Sequence, residues 1–161
     1  MAKPRRAGDK PERALKDVRI LVVEARFYDD IADLLLKGAA RALKKAGATF
    51  DTLTVPGALE IPPAIAIALA AADRAKRPYD GVVALGCVIR GETSHYDIVA
   101  GESARGLMDM GIQQQMPVGN GILTVDTKAQ ARARARLDKW DKGGGAALAA
   151  LALVRLKRGH K

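Results

Sequence analysis

VRILVVEA, residues 18–25, is a continuous apolar run rich in β-branched residues. This pattern is typical of a strand that is buried on both faces, as strands are in parallel sheets. The next segment, DDIADLLLKGAARALKKAG (29–47), carries apolar side chains at three- and four-residue spacing, which predicts a helix. We expect Asp29 or Asp30 to cap the start of this helix and Gly47 to cap its end.

The alternation of strand and helix continues along the chain. Further strands are predicted at 48–55, 79–89 and 118–125. Helices are predicted after PGALEIPP (56–63), over 94–111, and as two closing segments, 126–140 and 144–159, that are split near Gly143–Gly145. In the helix over 94–111, Ile98, Leu107 and Met108 are expected to face inward and Gly111 to end the helix. Short connections between such elements predict an α/β domain with about four parallel strands and helices on both faces, the doubly wound class.

Length and composition set the outer limits of the interpretation. A chain of 161 residues suits one domain, predicted over 18–158. Residues 1–17 are polar and basic and are predicted to form a disordered arm, and residues 159–161 a tail. The N-terminus has no apolar core typical of a secretory signal, and the apolar runs are too short to span a bilayer, so we expect a soluble, cytoplasmic protein without membrane contact. One cysteine and two histidines do not favour a metal site.

The positive charge is concentrated at the two ends of the chain. The net charge is +9 overall, with +4 on residues 1–19, +8 on residues 128–161 and −3 on the segment between them. A basic protein suggests nucleic-acid binding, but no aromatic residues are interleaved with these cations as a stacking surface needs. Nucleic acid is therefore not an expected partner. A solvated basic surface or a field that attracts an anionic substrate remain the alternatives.

The carboxyl ends of parallel strands are where doubly wound sheets bind ligands. VIRGETSHYD (88–97) crosses this edge and leads into a helix. Ser94 and Asp97 have the spacing of a capping box, which would leave His95 as a solvated first-turn residue. Alternatively, Thr93 and the free N–H groups of the helix bind an anion, and His95 transfers protons beside it.

Two other loops on this edge also have two interpretations. Glu60 in VPGALEIP (55–62) either stabilises a helix start or binds a polyol or amine. Phe27 and Tyr28 in ARFYD (25–29) either belong to the core or a lid, or stack on a flat heterocycle.

The arginines of ARARARLDKW (131–140) separate on a helical wheel. Arg132 and Arg136 lie 40° apart at ~100° per residue and are expected to face water. Arg134 lies roughly opposite and is angled toward packed structure, which makes it a candidate phosphate ligand. Lys142 either caps a helix end or points into the site.

Taken together, ARFYD, VPGALEIP, ALGCVIRGETSHYD (84–97) and DKGG (141–144) resemble the 6,7-dimethyl-8-ribityllumazine synthase family over nearly all of residues 18–158. The resemblance implies a three-layer, flavodoxin-like domain. It also implies a transferase of riboflavin biosynthesis that condenses 5-amino-6-(D-ribitylamino)uracil with 3,4-dihydroxy-2-butanone 4-phosphate. The family uses no metal and no organic cofactor. The alternative is a paralogue that binds flavin or lumazine, or only assembles, without turnover.

The family's functional residues fall on specific positions of this chain. The resemblance makes His95 the proton-transfer residue. It implies phosphate binding by Gly91, Glu92, Thr93 and Arg134. Substrate binding is implied for Phe27, Ala58, Leu59, Glu60, Val88, Ile89, Asn120 and Lys142. Family members often have Asn at Tyr28, Phe at Leu59 and an aromatic at Asn120, so the pocket around the pyrimidine is expected to differ in shape.

The family also builds homo-oligomers with sites at subunit boundaries. Pentamers stack into decamers or close into sixty-subunit shells, and this sequence leaves the choice open. We expect Phe27 and His95 to meet groups from a neighbouring copy, and the expected partners are otherwise small-molecule substrates.

Overall fold

The computed structural model describes residues 12–159, which form one parallel sheet with helices on both faces. The strands are β1 (Arg19–Ala25), β2 (Thr49–Val55), β3 (Gly81–Ile89) and β4 (Val118–Val125), in the order β2-β1-β3-β4. The helices are α1 (Asp29–Ala46), α2 (Ile61–Arg74), α3 (His95–Gln113), α4 (Lys128–Ala135) and α5 (Lys142–Gly159), and a 3-10 turn, Ala58–Glu60, precedes α2. The three-layer, flavodoxin-like α/β prediction is confirmed, and the strand order reverses between β1 and β3.

The two cores of the domain follow from the alternation of side chains along β1. Ile20 and Val22 face a cluster that includes Leu35 of α1 and Leu151 of α5. The intervening residues of the strand face the opposite cluster, which is built with α2 and α3 and contains Leu21, Val23, Ile61, Ile65 and Leu107. The apolar residues Ile20–Val23 fill both cores in alternation, which is why this strand occupies the middle of the sheet.

The packed part of the chain begins before residue 18. Leu15 is buried, and its backbone N–H donates to the Ala46 carbonyl oxygen at 2.8 Å. Residues 12–17 of the predicted arm therefore lie against the end of α1, while residues 1–11 fall outside the described residues. At the other end, α5 extends through Gly159, and residues 160–161 of the predicted tail lie outside the described part.

The inward face of α3 differs from the prediction. Leu107 is buried as expected, but Ile98 and Met108 are 53% and 64% exposed, and the helix continues past Gly111 to Gln113. The buried face is instead Val99, Ser103, Leu107 and Met110, at spacings of four, four and three residues. One of these positions, Ser103, carries a less obvious core residue. A small residue also lets α3 approach α2, because a Cβ on Gly106 would overlap Pro62.

The connection between α4 and α5 lies earlier than predicted. The first closing helix ends at Ala135 and not at residue 140, and Gly143–Gly145 lie inside the first turn of α5. The Asp141 carboxylate accepts the Gly144 N–H at 3.1 Å, in the manner of an N-cap. A Cβ on Gly143 would overlap the Leu35 carbonyl oxygen of α1. Gly143 therefore serves close helix packing, and the three glycines do not interrupt the helix.

The two predicted caps of α1 have different outcomes. Gly47 ends the helix in the left-handed conformation, with a φ of 82°, which confirms its predicted role. The prediction of an Asp29 or Asp30 cap is wrong, because the N-cap position is Tyr28 and both aspartates lie in the first turn. Their carboxylates bind cations instead: Asp29 contacts Arg26 at 3.1 Å, and Asp30 contacts Arg132 at 2.6 Å.

Candidate active site

Three loops with candidate residues meet at the carboxyl edge of the sheet. They follow β1, β2 and β3, and these strands are neighbours in the order β2-β1-β3. The edge therefore brings together the segments 26–28, 56–60 and 90–95, beside the point where the strand order reverses. Val88 and Ile89 end β3 on this edge, opposite Thr124 and Val125 of β4.

Phe27 lies open to solvent just after β1. Its side chain is 72% exposed, and its ring meets the Tyr28 ring edge-on with centroids 5.0 Å apart. A core role for Phe27 is thus ruled out in the described chain, and the ring is available to stack on a flat ligand.

An ion network that the sequence interpretation missed holds the Phe27 loop. The Arg26 guanidinium contacts Asp33, Glu24 at 3.1 Å and Asp29 at 3.1 Å. These bonds, led by the one to Asp33, raise the pKa of Arg26, so it stays charged. Glu24 is buried and also accepts the Thr54 hydroxyl at 3.1 Å. An acidic residue inside the apolar run VVEA was the available signal.

Glu60 ends the 3-10 turn that leads from β2 into α2. Its exposed side chain makes no hydrogen bond to the helix start, within the described chain. The carboxylate therefore lies near the positive end of α2 and is free to accept hydrogen bonds from a ligand. Ala58 is buried beneath this turn, and Leu59 packs partly against the same core.

The loop after β3 has a different cap from the predicted one. Ser94 occupies the N-cap position of α3, but none of the described residues donates a cap hydrogen bond to its side chain. The Thr93 hydroxyl accepts the His95 N–H at 3.3 Å instead. The capping-box interpretation is therefore wrong: Asp97 meets Ser94 only through a backbone bond of 3.0 Å, and its carboxylate faces Arg90 at 3.6 Å. Gly91, Glu92, Thr93 and His95 are all exposed.

Arg90 holds this loop through contacts with β4 and α3. It was not among the predicted site residues. Its Nε donates to Asp126 at 3.1 Å, and its guanidinium carbon lies 4.1 Å from the centre of the Tyr96 ring. The Arg90 backbone N–H donates to Val125 at the end of β4. Arg90 thus ties the loop 91–95 to β4 and to the first turn of α3.

Arg134 and Lys142 meet at a tryptophan. The Arg134 guanidinium carbon lies 4.6 Å from the centre of the Trp140 ring, and Lys142 Nζ lies 5.6 Å from it. Arg134 Nη1 also donates to the Gln130 carbonyl at 3.1 Å. Arg132 and Arg136 are exposed, as the helical wheel predicts, and they pair with Asp30 and Asp138.

The candidate residues form two groups on opposite faces of the sheet. The turn 58–60 and α3 share the core of α2, whereas α4 packs into the core of α1 and α5. Asn120 lies in the edge strand β4, on the face that Val118 and Ile122 share with α2 and α3, and its side-chain oxygen accepts the Ile122 N–H at 2.9 Å. One protomer therefore does not bring Arg134 and Lys142 onto the face that carries Glu60, and Asn120 lies within β4, before its carboxyl end at Val125.

The part of the chain that the structure describes contains neither a cluster of metal ligands nor an exposed cysteine thiol. Residues 12–159 contain no cluster of three or more His, Cys, Asp or Glu side chains suited to a metal ion. Cys87 lies buried in β3, and burial raises the pKa of its thiol to about 11. Within the same residues, no helix has both the length and the apolar character needed to cross a membrane.

Comparison with known proteins gives consistent matches. A sequence model of the family 6,7-dimethyl-8-ribityllumazine synthase matches residues 17–158. Proteins with the name 6,7-dimethyl-8-ribityllumazine synthase from Methylobacterium sp. (strain 4-46) and Nitrobacter hamburgensis are 65% and 59% identical to this chain, each over 158 residues. These alignments cover 98% of this chain, with 87% of the Methylobacterium protein and 97% of the Nitrobacter protein. A Rhodopseudomonas palustris protein named 6,7-dimethyl-8-ribityllumazine synthase 1 is 58% identical over 98% of this chain and 97% of its own length.

Proposed function

The chain belongs to the 6,7-dimethyl-8-ribityllumazine synthase family, and we propose that its sheet edge is the place where the family's two substrates meet. The enzyme condenses 5-amino-6-(D-ribitylamino)uracil with 3,4-dihydroxy-2-butanone 4-phosphate to 6,7-dimethyl-8-ribityllumazine and releases phosphate and water. This is the penultimate step of riboflavin biosynthesis. The observation that carries the location of the site is the exposure of Phe27, Glu60 and His95 after three neighbouring strands.

The pyrimidine and its ribityl chain bind between β1 and β3 in this proposal. Phe27 stacks on the flat ring, which its high exposure permits. Backbone groups of Val88 and Ile89 hold the ring edge. Glu60 accepts hydrogen bonds from ribityl hydroxyls, with the backbone of Ala58 and Leu59 beside it. Asn120 borders the pyrimidine, and Lys142 lies near the ribityl chain.

The phosphate of the second substrate binds at the start of α3. The Gly91–Thr93 segment is exposed and leads into a nineteen-residue helix whose N–H groups and dipole attract an anion. Arg134 adds a guanidinium that can bind two phosphate oxygens. This placement gives the leaving group a positive environment both before and after it departs.

His95 transfers protons during the condensation. The 5-amino group of the pyrimidine attacks the butanone carbonyl, and the carbinolamine loses water to form an imine. Phosphate then leaves by elimination, the resulting enol tautomerises to a ketone, and the ribitylamino nitrogen closes the ring with loss of a second water. Holding the two substrates together can supply ~7–11 kcal/mol in favourable cases. His95, which is exposed beside the phosphate loop, takes and returns protons in these steps.

The site is completed by a second copy of the chain. Arg134 and Lys142 lie on the opposite face of the sheet from the turn that holds Glu60, so one protomer does not assemble the full set. Exposed apolar side chains on α2 and α3, namely Ile67, Ile98, Met108 and Ile112, provide surface for such contacts. We propose a homopentamer with sites between neighbours, and light scattering of the purified protein distinguishes it from a decamer or a sixty-subunit shell.

Activity is tested directly with the two substrates. Incubation of the full chain with both should produce lumazine fluorescence that is absent when either substrate is omitted. A protein that binds lumazine but makes none would support the alternative of a non-catalytic paralogue, which neither the site residues nor the relatives favour. A cytoplasmic location stays a prediction from the sequence.

A further inference from the structure

We propose that Trp140 is a positioning residue that holds Arg134 and Lys142 on one indole ring as a substrate-binding pair. This inference rests on the proposed function, because it takes these two cations to bind substrate. The contacts that carry it are the two cation–π distances to a single indole ring, 4.6 Å for Arg134 and 5.6 Å for Lys142. Both lie within the range of about 6 Å in which a ring attracts a cation.

The neighbouring arginines show why an uncharged partner matters here. Arg132 and Arg136 each bind a carboxylate: Arg132 binds Asp30, which also binds Lys128, and Arg136 binds Asp138. Within residues 12–159, Arg134 and Lys142 have no such carboxylate, and Arg134 is held by the Gln130 carbonyl and the ring of Trp140. An indole ring orients a cation without neutralising it, so both cations keep their full charge for an incoming phosphate or polyol.

The turn that carries Trp140 is firmly tied down. Lys139 and Asp141 both donate their backbone N–H to the Arg136 carbonyl, at 3.2 and 3.0 Å. Asp141 adopts a left-handed φ of 44°, caps α5 through Gly144 and pairs with Arg41 of α1 at 2.8 Å. The ring is 43% exposed, yet its backbone has little freedom to move. The Trp140 ring therefore has a fixed position, and the long, flexible side chains of Arg134 and Lys142 can pack on it.

The ring also offsets the entropic cost of holding the two cations. Each long side chain loses rotamer freedom when it is held in one place. A partly exposed cation–π contact shifts an equilibrium by a factor of about two to five for each cation. Loss of the ring face should consequently weaken binding of the phosphorylated substrate by about fivefold, without a comparable effect on the chemical step.

The first test separates Trp140→Leu, which removes the aromatic face, from Trp140→Phe, which keeps one. Trp140→Leu should raise the apparent KM for the butanone phosphate about fivefold and change kcat by less than twofold. Trp140→Phe should stay within twofold of the parent protein in both. Equal KM values for Trp140→Leu and the parent protein overturn the proposal. A lower kcat in Trp140→Leu that is equally low in Trp140→Phe also overturns it.

The second test uses the parent protein, in which Trp140 is the single tryptophan. Titration with inorganic phosphate should change its emission saturably, with sodium chloride at equal ionic strength as the control. Arg134→Met should alter the emission of the free protein and abolish the response, whereas Arg132→Met should do neither. Identical emission from the parent protein and Arg134→Met overturns the Trp140 contact. An altered emission combined with an unchanged KM in Arg134→Met overturns the phosphate role of Arg134 and leaves the contact standing.

Discussion

Thr93 and not Ser94 accepts the backbone N–H of His95, at 3.3 Å, although Ser94 occupies the N-cap position of α3. The hydroxyl that holds the start of the helix thus belongs to the proposed phosphate loop. Anchoring of the loop and orientation of His95, the proposed proton-transfer residue, are therefore linked through one side chain.

Thr93→Val should lower the free energy of unfolding by about 1 kcal/mol, because it removes a hydroxyl that satisfies a helix N–H. Ser94→Ala is the matched control and should change it by less than about 0.5 kcal/mol, since the Ser94 side chain accepts no cap hydrogen bond from the described residues. Chemical denaturation followed by circular dichroism measures both. A larger loss for Ser94→Ala than for Thr93→Val would restore Ser94 as the cap.

His95→Ala should reduce turnover by about 10²–10⁴-fold and leave binding of the pyrimidine substrate nearly unchanged. The reason is that general acid–base groups act on the transition state, and the exposed imidazole contributes little to packing. Single-turnover kinetics with saturating substrates gives the rate, and titration with the pyrimidine substrate alone gives the affinity. Unchanged turnover would remove His95 from the chemistry.

The fold was predictable because its strongest signals are local. The apolar run 20–23 packs on both faces of its strand, so it marks a central strand, and Gly47 marks a helix end by its unique backbone freedom. The ends of α3 and α4 were misjudged because tertiary contacts set them. Ser103 is buried and Gly106 lies against Pro62 because α3 packs on the sheet and on α2, which no periodicity within α3 reveals.

For the candidate site, the sequence was sufficient to place those residues whose position depends only on the loop that carries them. Phe27, Glu60 and the segment 91–95 follow strands, and parallel strands place such loops on one edge. The supporting contacts of Arg26 with Glu24, and of Arg90 with Asp126, join residues whose pairing depends on side-chain geometry. The sequence also did not predict that Arg134 is separated from that edge, because this separation depends on which face of the sheet α4 covers.

Gly143→Ala should destabilise the protein by about 3 kcal/mol, because a Cβ at this position would overlap the Leu35 carbonyl oxygen and force α5 away from α1. Gly145→Ala lies two residues further along the same helix, where a Cβ meets no atom within 4 Å. That variant should be neutral or more stable by about 0.5–1 kcal/mol, since alanine favours helix over glycine. Thermal unfolding of the two variants measures the difference. Equal stability of the two would mean that α5 does not pack on α1 through Gly143.

Arg134→Ala should raise the apparent KM for the butanone phosphate by about 10- to 100-fold, because a charge-assisted hydrogen bond to phosphate contributes about 1.5–3 kcal/mol. Arg132→Ala is the matched control on the same helix. Its guanidinium is exposed and bound to Asp30 at 2.6 Å, so its loss should leave KM within about twofold. Initial rates at varied butanone phosphate and saturating pyrimidine measure both variants. A large effect for Arg132→Ala with none for Arg134→Ala would transfer the phosphate contact to Arg132, and it would contradict the orientation of α4 on which the two-group site depends.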